Sequence, residues 1–205
     1  MKIDNKLKSP KVVGFDIDDT LIHSELVFNL AHGMLDKDKE KWRSSELFRI
    51  IEEKHLDCVF AHFKSYIMEL LAWYLKKGVS VFLITARTYI DKTTDFLFDM
   101  IKRELMSKYD INDTHLKNLN EILYVGSVST DSKYTYSKTS SLVSNKVDIF
   151  FGDSDLDVDS AQEAGILAVR VERLRTDFFE YSPGKYSEYI FSANRELIKT
   201  KGLNK

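Results

Sequence analysis

The sequence has 205 residues, 43% of them hydrophobic and 30% charged, with a formal net charge of −2. That length suits one domain with a small insertion, and the composition is that of a globular protein rather than a disordered chain. Near-neutral charge without a basic stripe argues against nucleic acid or an anionic membrane surface as a partner, and a lone cysteine, Cys58, excludes an internal disulfide.

Cys58 sits beside Val59 and Phe60 and is expected to be a packed thiol rather than a nucleophile. No apolar run approaches the roughly 20 residues of a membrane-crossing helix. The stretch from Met1 to Lys8 has no apolar leader region, so the expected compartment, as the sequence is written, is the cytoplasm. Prior removal of a signal peptide would instead place the protein in the periplasm or outside the cell.

Along the chain, short apolar runs alternate with amphipathic stretches, the pattern of an α/β fold with a mainly parallel sheet flanked by helices. The first run is Val12-Val13-Gly14-Phe15 and ends on Asp16. Val59, Phe60, Phe63, Ile67, Leu70, Leu71 and Tyr74 then recur at helical spacing, and Gly78 ends that helix. The second run, Val79 to Ile84, ends on Thr85, and a helix is expected from Asp91 to Met106. The third run is Ile122 to Val125. Lys138 opens a helix start, and the fourth run, Val147 to Phe151, ends at Gly152-Asp153. A helix from Asp155 to Ala164, with Gly165 as its C-cap, leads to the fifth run, Ile166 to Val171. Runs of this kind suit strands covered on both faces.

The stretch 23–56 carries its own apolar positions and is too long for a structureless loop. It is expected to form a small helical cap, with 1–22 and 57–205 making the catalytic core.

The polar residues at the strand ends carry the chemistry. Asp16, Asp18 and Asp19 follow the first strand, Thr85 and Arg87 the second, and Asp153, Asp155 and Asp157 the fourth. In open α/β sheets, ligands bind beyond the carboxyl ends of the strands. Two unit charges about 4 Å apart repel by roughly 4 kcal/mol at an effective dielectric of about 20, so such a cluster needs a cation. Carboxylate oxygens without His or Cys favour Mg²⁺ over zinc. Thr85, the backbone N–H groups of the turn at Ala86, and Lys138 are suited to hold phosphate oxygens.

Phe15-Asp16-Ile17-Asp18-Asp19-Thr20-Leu21 resembles the first motif of the haloacid dehalogenase superfamily. Leu83-Ile84-Thr85-Ala86-Arg87, Lys138 and Gly152-Asp153-Ser154-Asp155-Leu156-Asp157 resemble its second, third and fourth motifs in order. Within that superfamily the chain is most similar to the class B acid phosphatases. The resemblance implies a Rossmann-like core and a magnesium-dependent phosphomonoesterase in which Asp16 forms an aspartyl-phosphate and Asp18 is general acid and then base. It implies Mg²⁺ held by Asp16, the main-chain carbonyl of Asp18 and Asp153, with Asp157 acting through water. Nucleotides or aryl phosphates are the implied substrates. Arg87 has two readings: it pairs with an acidic neighbour, or, as the family resemblance implies, it reaches the substrate phosphate or base. Phe28, Trp42, Phe178 and Phe179 are candidates for an apolar pocket lining, and a homo-oligomer, dimer or tetramer, is compatible with the aromatic content. The alternatives are phosphotransfer to an alcohol acceptor and a non-catalytic phosphate-binding protein on the same fold.

Overall fold

The structure, a computed structural model, describes residues 9–23, 62–89, 91–128, 134–172, 189–191 and 197–199. Strand β1 (Val12–Phe15) lies in the interior of an eight-stranded sheet. It pairs in parallel with β4 (Ser80–Thr88) on one side and with β7 (Ile149–Gly152) on the other. Outside β4 runs β5 (Leu119–Val128), and outside β7 runs β8 (Leu167–Val171), both parallel to their neighbours. These five strands correspond to the five apolar runs of the sequence. Three short strands extend the sheet: β6 (Tyr134–Thr135) antiparallel on β5, β9 (Tyr189–Phe191) parallel on β8, and β10 (Leu197–Lys199) antiparallel on β9. The pattern of five apolar runs read from the sequence includes none of the three.

Among the described residues five helices connect these strands: α1 (Ser65–Lys76), α2 (Asp91–Lys108), α3 (Asp113–Leu116), α4 (Thr139–Ser144) and α5 (Asp155–Glu163). One core cluster gathers Phe15, Tyr74 and Phe151 with apolar residues of α1 and α2. A second gathers Ile84, Leu142, Phe150, Val158 and Ala161 with residues of α4 and α5. The rings of Phe15 and Phe151 stack at 4.7 Å across the β1–β7 pair. Gly14 is the register partner of Phe150, and a Cβ there would sit 2.8 Å from the Phe150 ring. Glycine therefore lets that ring lie against β1.

Two elements begin three or more residues from where the sequence pattern places them. Helix α1 starts at Ser65, because Phe63 is held extended in β3 (His62–Phe63) by pairing with β2 (Ile22–His23). Phe63 still packs on the core, so its helical phase with Ile67 is an accident of spacing. Strand β5 begins at Leu119, ahead of Ile122, in a polar stretch whose Asn120 side chain donates to Ser80 Oγ and to the Val81 carbonyl, each at 2.9 Å. The β2–β3 ladder sets His23 opposite His62, so the chain leaves and re-enters the core at adjacent points. His23 belongs to that ladder; the rest of the expected cap, 24–56, lies outside the described residues, as do Cys58, Phe28, Trp42, Phe178 and Phe179. No helix among the described residues is long and apolar enough to cross a membrane.

Candidate active site

The first strand delivers two carboxylates into different surroundings. Asp16 continues β1: its N–H donates to the Phe151 carbonyl at 2.8 Å, so the backbone of the neighbouring strand fixes it. The chain then turns back, with Leu21 and Ile22 N–H groups both donating to the Ile17 carbonyl. Asp19 takes the turn in the left-handed region, at φ 54°, which Asp tolerates better than most side chains. Thr20 is fully buried at the end of this turn. Its hydroxyl lies 3.2 Å from Asp16 Oδ2 and 3.3 Å from Asp153 Oδ1, bridging the ends of β1 and β7.

Asp157 reaches the same place from the first turn of α5. Ser154 caps that helix, accepting from the Asp157 N–H, and Asp157 Oδ2 accepts in return from the Ser154 N–H and hydroxyl. This reciprocal box aims the other carboxylate oxygen at Lys138. Lys138 stands at the N-cap of α4, with its N–H on Ser160 Oγ at 3.3 Å. Its ammonium bonds Asp16 Oδ1 at 2.5 Å and also Asp157 Oδ1, and it lies 5.4 Å from the centre of the Phe150 ring.

Asp18 stands apart from this cluster. Arg87 grips it at two points, Nε to Oδ2 at 2.9 Å and Nη2 to Oδ1 at 2.5 Å, and the Thr85 hydroxyl donates to Oδ2 at 3.1 Å. Thr85 Oγ1 also accepts from the Arg87 N–H. In this structure Arg87 therefore pairs with an acidic neighbour. Ala86 lies between them on β4, half-buried. Asp155, also at a strand end, is bonded to Arg170 at 2.7 Å.

The cluster is short of positive charge. Asp16, Asp153 and Asp157 each offer an oxygen, all within 4.8 Å of one another, and all three residues are buried. Burial pushes the Asp16 carboxyl well above the usual carboxylate range; Asp157, Asp153 and Asp18 push the same way, and Lys138 opposes them. Burial alone would lower the Lys138 ammonium, yet Asp157 and Asp16 outweigh it and hold the lysine firmly charged. One ammonium against three buried carboxylates leaves room for a divalent cation. The all-oxygen donor set fits a hard ion such as Mg²⁺. The side chain of Asp18 is outside this group, since both its oxygens are engaged elsewhere; its main-chain carbonyl is what the resemblance offers to a metal.

The sequence singles out Asp16, Asp18, Thr85, Arg87, Lys138, Asp153 and Asp157, and the structure brings all of them to the carboxyl ends of β1, β4 and β7. Thr20 and Ser154 carry no role in that reading. Thr20 stands inside the Asp-x-Asp-x-Thr spacing, and Ser154 three residues before Asp157 is a readable capping signal.

No family model matches the chain. Curated relatives do. A class B acid phosphatase of Marinomonas sp. (strain MWYL1) is 30% identical over 185 residues, covering 89% of this chain and 72% of its own. Another, from Citrobacter rodentium, is 28% identical over 185 residues, also covering 89% and 72%. Among solved structures, a predicted phosphoglycolate phosphatase from Haemophilus somnus superposes with a TM-score of 0.50 at 16% identity, covering 80% of this chain and 85% of that one. A HAD hydrolase, family IA, variant 3, from Entamoeba histolytica also gives 0.50, at 14% identity, covering 81% and 86%. At such identities the structural likeness concerns the fold.

Proposed function

Because the chain belongs to the class B acid phosphatase family, and so is a phosphomonoesterase of the haloacid dehalogenase superfamily, we propose that it cleaves small-molecule phosphate monoesters through a covalent phosphoryl group on Asp16. The observation that carries this reading is the separation of two neighbouring carboxylates into two environments. Asp16 is buried against Lys138 and Thr20, whereas Asp18 is held by Arg87 and Thr85. Groups placed so differently suit different tasks.

In the first step Asp16 attacks phosphorus, and the bond from phosphorus to the ester oxygen breaks. Asp18 delivers a proton to that leaving oxygen. In the second step Asp18 takes a proton from water as the water attacks phosphorus, and the Asp16 oxygen leaves with its original charge. Arg87 exchanges Asp18 for the arriving phosphate, which frees Asp18 to move protons. Lys138 and Thr85 hold phosphate oxygens, and the peptide at Ala86 lines the same wall.

Mg²⁺ held by Asp16, the Asp18 main-chain carbonyl and Asp153, with Asp157 behind them, would supply charge to offset the repulsion between a phosphate and the carboxylates. The engagement of both Asp157 oxygens, by Ser154 and Lys138, supports that outer position. Nucleotides and aryl phosphates are the favoured substrates of this reading. Its test is phosphate release from aryl, nucleoside and sugar monophosphates, with Mg²⁺ and then with EDTA. Asp16→Asn should fold normally and lose turnover at least about a thousandfold; an active Asp16→Asn protein would overturn the covalent route.

A further inference from the structure

Lys64 is buried, only 2% exposed, and is the N-cap residue of α1, directly after β3. A buried ammonium needs acceptors close at hand. Lys64 Nζ donates to the main-chain carbonyl of Asp19 and, at 3.5 Å, to that of Glu172. The Tyr66 hydroxyl donates to the same Glu172 carbonyl at 2.5 Å. The Lys64 N–H donates to the Leu21 carbonyl at 2.8 Å.

The Asp19 carbonyl belongs to the peptide that joins Asp19 to Thr20. On one side of it stands Asp18, bonded to Arg87 and Thr85; on the other stands Thr20, bonded to Asp16 and Asp153. Asp19 holds a positive φ, a conformation that persists in a non-glycine residue when its surroundings fix it. Lys64 thus holds the main chain of the residue that lies between the proposed proton carrier, Asp18, and Thr20, whose hydroxyl bonds two of the three clustered carboxylates. It also joins three chain segments: the turn after β1, the junction of β3 with α1, and the exit of β8.

We propose that Lys64 is a positioning residue for proton transfer: by holding the Asp19 carbonyl it sets where the Asp18 carboxyl stands relative to the ester oxygen, and it ties that placement to the start of α1. The proposal rests on the reading of Asp18 as proton donor. Loss of Lys64 should therefore harm substrates in proportion to their need for a proton. An alkoxide leaving group needs one; a nitrophenolate hardly does.

The experiment compares ethyl phosphate with para-nitrophenyl phosphate for wild type, Lys64→Met and Tyr66→Phe, with Asp18→Asn as reference. Lys64→Met keeps the stem and removes the charge. It should lose kcat on ethyl phosphate about 10- to 100-fold more than on the nitrophenyl ester, with KM changed less than about threefold on both. Tyr66→Phe leaves the Asp19 bond in place and should treat the two esters alike. If Lys64→Met does not fold, Lys64→Arg takes its place, since a planar fork cannot replace a point donor in the same slot. Equal losses on both esters, or a Tyr66→Phe protein that discriminates as strongly, would overturn the positioning role. A wild type inactive on both esters, or an Asp18→Asn protein without leaving-group dependence, would overturn the underlying assignment of Asp18 instead, and the proposal with it.

Discussion

Arg87 and Asp18 meet in a two-point ion pair in which the arginine is almost wholly buried and the aspartate partly open, at 4% and 28% side-chain exposure. The aspartate is the more open partner of the pair and the arginine the closed one. On the function proposed above, a phosphate entering there would bring a second anion to the guanidinium, and Arg87 would act as a latch that substrate releases.

That latch has a kinetic signature. Arg87→Ala should lower kcat/KM by about 10- to 100-fold, the loss of one charged hydrogen-bonding partner of roughly 1.5–3 kcal/mol. Arg87→Lys should recover only a small part of it, because an ammonium cannot reproduce two parallel bonds. Steady-state kinetics on one aryl phosphate decides the matter; full activity in Arg87→Lys would show that charge alone suffices.

Metal should register without any turnover. A cation bound only by the folded state stabilises it by mass action, about 2.7 kcal/mol at a concentration near 100 times its dissociation constant. Thermal unfolding with Mg²⁺ should therefore run several degrees above unfolding with EDTA. Asp153→Asn should remove the difference while the protein remains folded.

Gly152 makes room for Asp157. A Cβ at Gly152 would lie 2.4 Å from Asp157 Cβ and 2.6 Å from its Cγ, so the first turn of α5 has to shift. Gly152→Ala should cost about 1–3 kcal/mol, as forced overpacking does. It should also lower kcat, because Asp157 and Lys138 move together. Urea unfolding and kinetics on the same preparation test both effects; a stable and fully active variant would argue that the turn yields freely.

His23 gives a pH dependence. It sits half-buried opposite His62, and burial first, then Lys64 and His62, pull its imidazolium down to about 4 from the usual 6.5. The folded protein thus binds fewer protons here than the unfolded chain between pH 6.5 and about 4. This contribution to stability is complete above pH 6.5 and is lost as pH falls through about 4. His23→Asn should flatten the decline of Tm across that window, most visibly in its lower half. Parallel curves for the two proteins would rule it out.

Much of this architecture is legible in the sequence. Val12 to Phe15 and Ile149 to Phe151 read as strands because layers on both faces demand unbroken apolar runs. Once those strands are placed, topology alone brings Asp16, Thr85 and Asp153 together. Phe63 misleads because a residue packing against a core can match a helical period from within a strand. Asn120 hides the start of β5, since its side-chain amide does the bonding that apolar packing does elsewhere in the sheet. Lys64 cannot be found at all from sequence: one lysine among many looks solvated until its buried ammonium is seen to reach two main-chain carbonyls.

Asp157 closes its own helix through Ser154 and also holds Lys138 beside Asp16. The consequence is evolutionary. Exchange for Asn would keep a helix start but surrender the lysine's partner, and exchange for Glu would keep the charge but lengthen the reach of the box. A lineage changing here cannot retune catalysis and stability separately, so innovation in this scaffold is channelled to positions that answer to one of them only.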